Sequence, residues 1–348
     1  MTVCAVVVTY GNRFALLERV IEAVLRTRVS KVVVVDNNSH KESRDKLQAK
    51  ERNLKGLISV LPLEKNSGSA GGFKAGLEFA HSHSQCEFVW LLDDDNVPEE
   101  DALDVLLNFW NHSRAEEKEE RLCLLSFREK RSLYKELARH DSLAVEPIIG
   151  SRNAVLGLNV IHPWKTRRNA DLFIRTFVGS EIVMNKNSGR VPVAPYGGMF
   201  FHRRLLGLIG YPNDKLFLYG DDYEFSYRII SRQGEIILLL DSRIDDIDDS
   251  ENKGMAVDEQ NLFRMYYSNR NYVFFQKQLA NSRLTFCLNY ALYLLFLACK
   301  RRLRFPAKKE ETHKISVMME AIEDGYHGRL GEWKRMPESS LESTVHLA

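Results

Sequence analysis

Two clusters of carboxylates are the residues best equipped for chemistry. Asp93-Asp94-Asp95 follows the apolar run Phe88 to Leu92, and Asp221-Asp222 follows the run Leu216 to Tyr219 and Gly220. Three adjacent carboxylates repel one another and persist only when solvated or neutralised by a cation. Hard oxygen ligands suit Mg²⁺ or Mn²⁺, which in turn hold substrate phosphates. The plainer reading of the triplet is an acidic turn that opens the next helix. Asp221-Asp222, with Glu224 close behind, likewise reads as a helix cap, although two acids exceed what one cap requires.

The elements that must position these residues are legible as alternating periods. Val3 to Val8, Val32 to Val35, Leu57 to Leu61 and Phe88 to Leu92 are short apolar runs that stop at polar residues, the pattern of strands buried on both faces. Between the first two, Leu16, Leu17, Val20, Ile21, Val24 and Leu25 fall at helical spacing. Strand, helix, strand, repeated, predicts an α/β fold with a parallel sheet and right-handed crossovers. Ligands of such sheets bind beyond the carboxyl ends of the strands, where the aspartate triplet and Asp36 fall. Asp36 could accept a hydrogen bond from a ribose or base; the alternative is an Asx turn ending its strand. The stretch Asn66 to Gly76, with Gly71, Gly72 and Lys74, matches neither common phosphate-loop signature. Its glycines could let backbone amides approach an anion, with Lys74 adding charge, or could let a helix pack closely on the sheet.

The 348 residues suffice for one large domain or two smaller ones, and 44% hydrophobic with 28% charged residues is a globular composition. A balance of 49 basic against 47 acidic residues argues against a dedicated nucleic-acid binder. Five scattered cysteines without metal-ligand spacing are expected to be reduced thiols in a cytoplasmic protein. Met1 leads into a strand without the flanks of a signal peptide.

The segments 6–13 (Val-Val-Val-Thr-Tyr-Gly-Asn-Arg), 34–39 (Val-Val-Asp-Asn-Asn-Ser), 66–73 (Asn-Ser-Gly-Ser-Ala-Gly-Gly-Phe) and 92–95 (Leu-Asp-Asp-Asp) resemble, in that order, the family-two inverting glycosyltransferases of the GT-A fold. The triple aspartate and the Ala-Gly-Gly-Phe loop are most similar to the galactofuranosyltransferase branch and its rhamnosyltransferase-like relatives. The resemblance implies a Rossmann-like GT-A domain over residues 1–255 and a nucleotide sugar held by Thr9, Tyr10, Asp36, Asn66, Gly71, Gly72, Lys74, Asp93 and Asp94. It implies Mn²⁺ or Mg²⁺ on Asp93 and Asp95 of this DXD motif, with Asp222, beside Asp221, as catalytic base. Gly197 and Gly198, in the run Ala194 to Phe201, would lie beside the acceptor; a simple bulge is the alternative. UDP-galactofuranose is the implied donor and dTDP-rhamnose the next. The implied acceptor is a lipid-linked glycan of bacterial surface polysaccharide synthesis, such as O-antigen, capsule or cell-wall galactan. Many relatives complete the metal shell with a histidine where this chain has Asp241 to Asp249; Asp245 or Asp246 could substitute, or the run is a solvated loop. A sugar nucleotidyltransferase and a non-catalytic nucleotide-binding scaffold are the readings from other classes.

Residues 132–169 read as an insertion over the active-site edge, and Phe177 to Val183 with Arg190 to Val193 as a hairpin. The carboxyl-terminal region, 256–348, reads as helical. Arg270, in a Tyr-x-x-Arg-Asn segment similar to the family's, could reach the diphosphate or tie its helix to the core. Leu284 to Cys299 is apolar, is interrupted by Asn289 and ends in Lys300-Arg301-Arg302-Leu303-Arg304. It falls short of a bilayer span, so segment 284–304 is expected either to lie at a membrane surface or to be buried. The first alternative would place the protein at the inner face of the cytoplasmic membrane.

Overall fold

A computed structural model describes residues 1–83, 86–159, 187–248, 259–304 and 309–333. Its amino-terminal third runs β1 (Val3–Thr9), α1 (Phe14–Arg26), β2 (Lys31–Asp36), α2 (Lys41–Asn53), β3 (Ile58–Pro62), α3 (Gly68–Ser82) and β4 (Phe88–Asp93). The four strands pair in parallel in the order β3-β2-β1-β4. Side chains alternate across a strand, so Val6 and Val8 meet Phe73 and Leu77 of α3, while Ala5 and Val7 meet Leu17 and Ile21 of α1 on the other face. Both faces being covered, β1 has no polar position until Thr9, at its carboxyl end.

Beyond β4 the sheet becomes mixed. Its further strands are β5 (Asn96–Pro98), β6 (Leu122–Arg128), β7 (Ser188–Arg190), β8 (Met199–His202) and β9 (Glu235–Asp246). The order continues β4-β8-β6-β9-β5, with β7 also on β9, and β8 runs antiparallel to both β4 and β6. The helices of this part are α4 (Ala102–His112), α5 (Lys118–Arg121), α6 (Ser132–Arg139), α7 (Glu146–Ile149), α8 (Leu205–Ile209) and α9 (Asp221–Ser231). Three long helices follow: α10 (Glu259–Leu279), α11 (Arg283–Arg304) and α12 (Lys309–His327). Phe263, Tyr266 and Tyr267 of α10 share an apolar cluster with Phe217, and Val317 and Ala321 of α12 with Trp333 complete it.

Several expectations are corrected. Cys4 and Cys86 are not free thiols: β1 and β4 pair, which brings the two Cα atoms to 5.4 Å, and the sulfurs are bonded across 82 positions of chain. Residues 241–246 are not a loop, because β9 continues through them and pairs with β5, Asn96 opposite Asp246. Of the expected hairpin, 177–183 lies outside the described residues, and Ser188–Arg190 pairs with β9. The part of 132–169 that is described, through residue 159, packs on the sheet through Tyr134, Leu137 and Ala138. The expected boundary at 255 falls among residues outside those described. The helix α11, at 22 residues, is longer than its apolar stretch suggested, and Asn289 does not break it, since its buried amide donates to the Asn153 carbonyl at 2.7 Å.

Candidate functional site

A cleft of about 450 Å³ opens beyond the carboxyl ends of β1 and β4, lined among others by Tyr10, Asn66, Asp93, Asp95, Tyr219 and Asp222. The two acidic clusters therefore face one space, although the chain separates them by more than a hundred residues.

The three aspartates of the β4 turn have different surroundings. Asp94 is buried and fully engaged: it accepts from Thr9 Oγ1 at 2.7 Å and from Arg13 Nε at 2.9 Å. The Arg13 guanidinium also reaches Asp248 at 2.6 Å and Asp95 at 3.5 Å. Asp93 is the most open, with 39% side-chain exposure, and meets the nearly buried Arg128 at 3.3 Å. Asp95 is pushed up to about 7, first by burial and then by the charges of Asp93 and Asp94. Asp246 does not line the cleft, and its Oδ1 accepts from Arg128 at 2.5 Å and from Asn96 at 2.9 Å.

This donor set fits a hard divalent cation in part. Asp94 and Asp246 are held by short bonds to arginine, whereas Asp93 and Asp95, whose arginine contacts are longer at 3.3 and 3.5 Å, sit on one turn lining the cleft, their mutual repulsion relievable by positive charge. Among the described residues no three His, Cys, Asp or Glu side chains cluster as a cage. A cation here would draw its remaining ligands from phosphate oxygens and water, as Mg²⁺ commonly does.

Across the cleft, α9 starts at Asp221 after Gly220, whose φ of +79° is left-handed. Asp221 is buried and accepts from Ser69 Oγ at 2.8 Å. Burial, then the neighbouring Asp222 charge, pushes it up to about 8. Asp222 faces the cleft and accepts its neighbour's amide, Tyr223 N–H, at 2.8 Å. Burial raises it to about 6, and Arg131, another lining residue, opposes that rise. The two acids titrate as a pair.

The loop before this pair is held from outside. Phe217 and Tyr219 adopt left-handed φ values of +67° and +65°, unusual for such side chains. The Asn271 amide donates to the carbonyls of Leu216, Leu218 and Tyr219 at 2.8 to 2.9 Å. Arg270, fully buried, donates to the carbonyls of Leu216 at 2.9 Å and Gly331 at 2.5 Å and stacks on Tyr267. Of its two expected roles, it performs the tie.

The other expected donor residues divide. Tyr10 lines the cleft beside Arg13, and Asn66 lines it while accepting from Gly68 N–H at 2.9 Å. Gly68 and Ser69, rather than Gly71 and Gly72, form the cleft wall. A Cβ on Gly72 would lie 2.6 Å from a Val8 methyl and one on Gly71 2.4 Å from Ser67, so those two glycines serve close packing. Asp36 is not brought to the cleft: Ser39 N–H at 2.7 Å and Arg44 Nε at 2.9 Å occupy its two oxygens. Lys74 points to Asp214 at 2.8 Å. Gly197 and Gly198 form a turn ahead of β8, where a Cβ on Gly197 would lie 2.0 Å from Asn96 Oδ1 and 2.7 Å from Asp93 Oδ2. Gly197 thus allows a close approach to the acidic turn, while Gly198 holds a left-handed φ of +103° against Ser126.

Residues 4–116 match the family Glycosyl transferase family 2. The architecture is shared with a solved structure of GalNAc-T7 with UDP, GalNAc and Mn²⁺, at TM-score 0.55 and 16% identity, covering 100% of this chain and 58% of that one. The chain thus spans 58% of that relative's length. A structure of S. aureus TarS 1-349 aligns at TM-score 0.47 and 15% identity, covering 97% of this chain and 94% of the other. No curated protein matches the sequence. The fold is GT-A, with a helical carboxyl-terminal region.

Proposed function

We propose that the protein transfers a sugar from a nucleotide donor to an acceptor hydroxyl with inversion. The observation that carries this reading is the facing of Asp222 and the Asp93–Asp95 turn across one cleft. An acceptor hydroxyl is a poor nucleophile until its proton is removed in the transition state, and we assign that task to Asp222, which lines the cleft. As the acceptor oxygen bonds to the anomeric carbon, the bond from that carbon to the diphosphate oxygen breaks and the nucleoside diphosphate departs. Attack from one face and departure from the other give inversion. Tyr10 and Asn66 line the donor side, and Gly68 and Ser69 supply backbone there. Asp93 and Asp95 would hold Mn²⁺ or Mg²⁺, which when bound neutralises charge on the leaving diphosphate. Arg13 and Arg128 balance the acidic turn and hold its carboxylates in place.

UDP-galactofuranose is our preferred donor and dTDP-rhamnose the second, both resting on the sequence resemblance. A lipid-linked glycan of bacterial surface polysaccharide synthesis is the proposed acceptor. The exposed residues of α11, Leu284, Leu288, Leu295 and Phe296, support contact with the inner face of the cytoplasmic membrane. By length and composition this helix is apolar enough to cross a membrane, and only 17% of its most apolar stretch is buried. Phe286 and Leu297 nevertheless pack against Ile315 and Ile322 of α12, which favours a helix lying on the surface. The disulfide pulls against a reducing compartment, but both its cysteines are fully buried and so shielded from thiol attack.

The test is nucleoside-diphosphate release from a panel of nucleotide sugars, with Mn²⁺ or Mg²⁺ and with EDTA, using membrane-extracted acceptor. One donor should give release that EDTA abolishes. Asp222→Asn should keep nucleotide binding and lower turnover by about 10²-fold or more, as loss of a general base does. Near-normal turnover in that variant would remove Asp222 from the role.

A further inference from the structure

A second concavity lies between the end of α11 and the start of α12, built from none of the residues that line the carboxylate cleft. It encloses about 640 Å³ and is lined by Ala298, Arg301, Arg302, Lys309, Thr312, His313 and Ser316. Arg304, nearby, is neutralised by Glu311. Arg301, Arg302 and Lys309 form no ion pair with a carboxylate among the described residues. The Thr312 and Ser316 hydroxyls donate to the carbonyls of Lys309 at 2.7 Å and Thr312 at 2.9 Å. Recognition in the hollow therefore falls to the three cations and the His313 ring.

We propose that this hollow binds the phosphate headgroup of an anionic phospholipid. The inference rests on the membrane-contact reading of α11 and adds to it a headgroup site with named residues. Two guanidiniums and an ammonium converging on one hollow suit a phosphate, which guanidinium groups can grip through paired hydrogen bonds. The amino-terminal end of α12 adds the positive pole of its dipole. What selects a lipid over a soluble anion is the adjoining surface: Leu295, Phe296 and Leu303 are 59%, 56% and 86% exposed on the same helix that supplies Arg301 and Arg302. Bare aliphatic and aromatic side chains beside cations that have no carboxylate partner among the described residues match a headgroup with its acyl chains below.

The experiment is co-sedimentation of the full chain with vesicles of phosphatidylcholine alone or mixed with phosphatidylglycerol, each variant first checked for an unchanged thermal transition. The wild type should bind the mixed vesicles selectively. Arg301→Gln, Arg302→Gln and Lys309→Gln together should weaken that binding by about 10²-fold, the combined weight of three basic residues at an anionic surface. Ser316→Phe fills the hollow without altering charge and should also weaken it. If the triple variant loses binding while Ser316→Phe does not, diffuse charge is sufficient and the headgroup site is overturned. If the triple variant binds normally while Leu295→Ser with Phe296→Ser abolishes binding, the site is overturned and the membrane contact stands. No binding of the wild type to either vesicle overturns both. Calorimetric binding of inorganic phosphate without vesicle association would assign the hollow to a soluble anion and overturn the lipid.

Discussion

At Asp222 two opposing influences set the working pH. Burial raises the carboxyl to about 6 and the Arg131 charge restrains it. In its proposed role as base it must be deprotonated, so turnover should rise with pH through about 6, and Arg131→Gln should move that limb to higher pH; a kcat profile reads both. Asp221 affects stability with a definite sign. Its folded value near 8 exceeds the ordinary value near 4, so the folded state binds more protons between these limits and stability falls as pH rises through them. Asp221→Asn should flatten that decline in thermal melts at pH 5 and pH 8. Both carboxylates stand out in the sequence as a doublet before a helix. Arg13 and Arg128 do not, because Arg13 meets Asp94 and Asp248 at separations of 81 and 235 residues. An arginine facing so distant a partner leaves no periodic mark.

The loop at 216–220 links helix packing to the site. Phe217 and Tyr219 hold left-handed backbone, at a cost of order 1–3 kcal/mol each, and Asn271 satisfies three of the carbonyls that this path turns inward. Asn271→Ala would leave them without that donor. We expect a loss of roughly 2–4 kcal/mol of stability, together with a raised KM for the donor, measured by denaturant unfolding and initial rates. Gly68 borders the same loop: its φ is +69° and a Cβ would lie 2.0 Å from the Phe217 carbonyl oxygen. Gly68→Ala should therefore impair both folding and nucleotide binding. The parallel strands and helices of the first third were legible because burial on both faces imposes apolar runs that polar residues end sharply. The functions of the individual glycines in 66–76 were not legible, since close packing and anion approach require the same residue. The extension of β9 through Asp241 to Asp246 was hidden because its charged side chains read as a solvated run, whereas Asp246 is held by Arg128 and Asn96 and Asp241 by Asn187.

Over the whole molecule, the Cys4–Cys86 bond ties the start of β1 to the entry of β4. Closing 82 residues of chain corresponds to roughly 4.5 kcal/mol in the loop-entropy treatment, the scale of the loss expected for Cys4→Ser. A lowered melting temperature in that variant, insensitive to added reductant, is the expected result. Order of synthesis gives the clamp by Asn271 a further meaning. The ribosome delivers β1 to β4 and the acidic turn first, and it delivers Arg128, Asp222 and then Asp246 later. The fastener of the loop, Asn271, leaves the exit tunnel only after roughly three-quarters of the chain is already outside it. A nascent chain therefore carries its acidic turn for much of translation without its mature cleft, and that cleft matures nearly in step with the helix pair that turns its bare face outward.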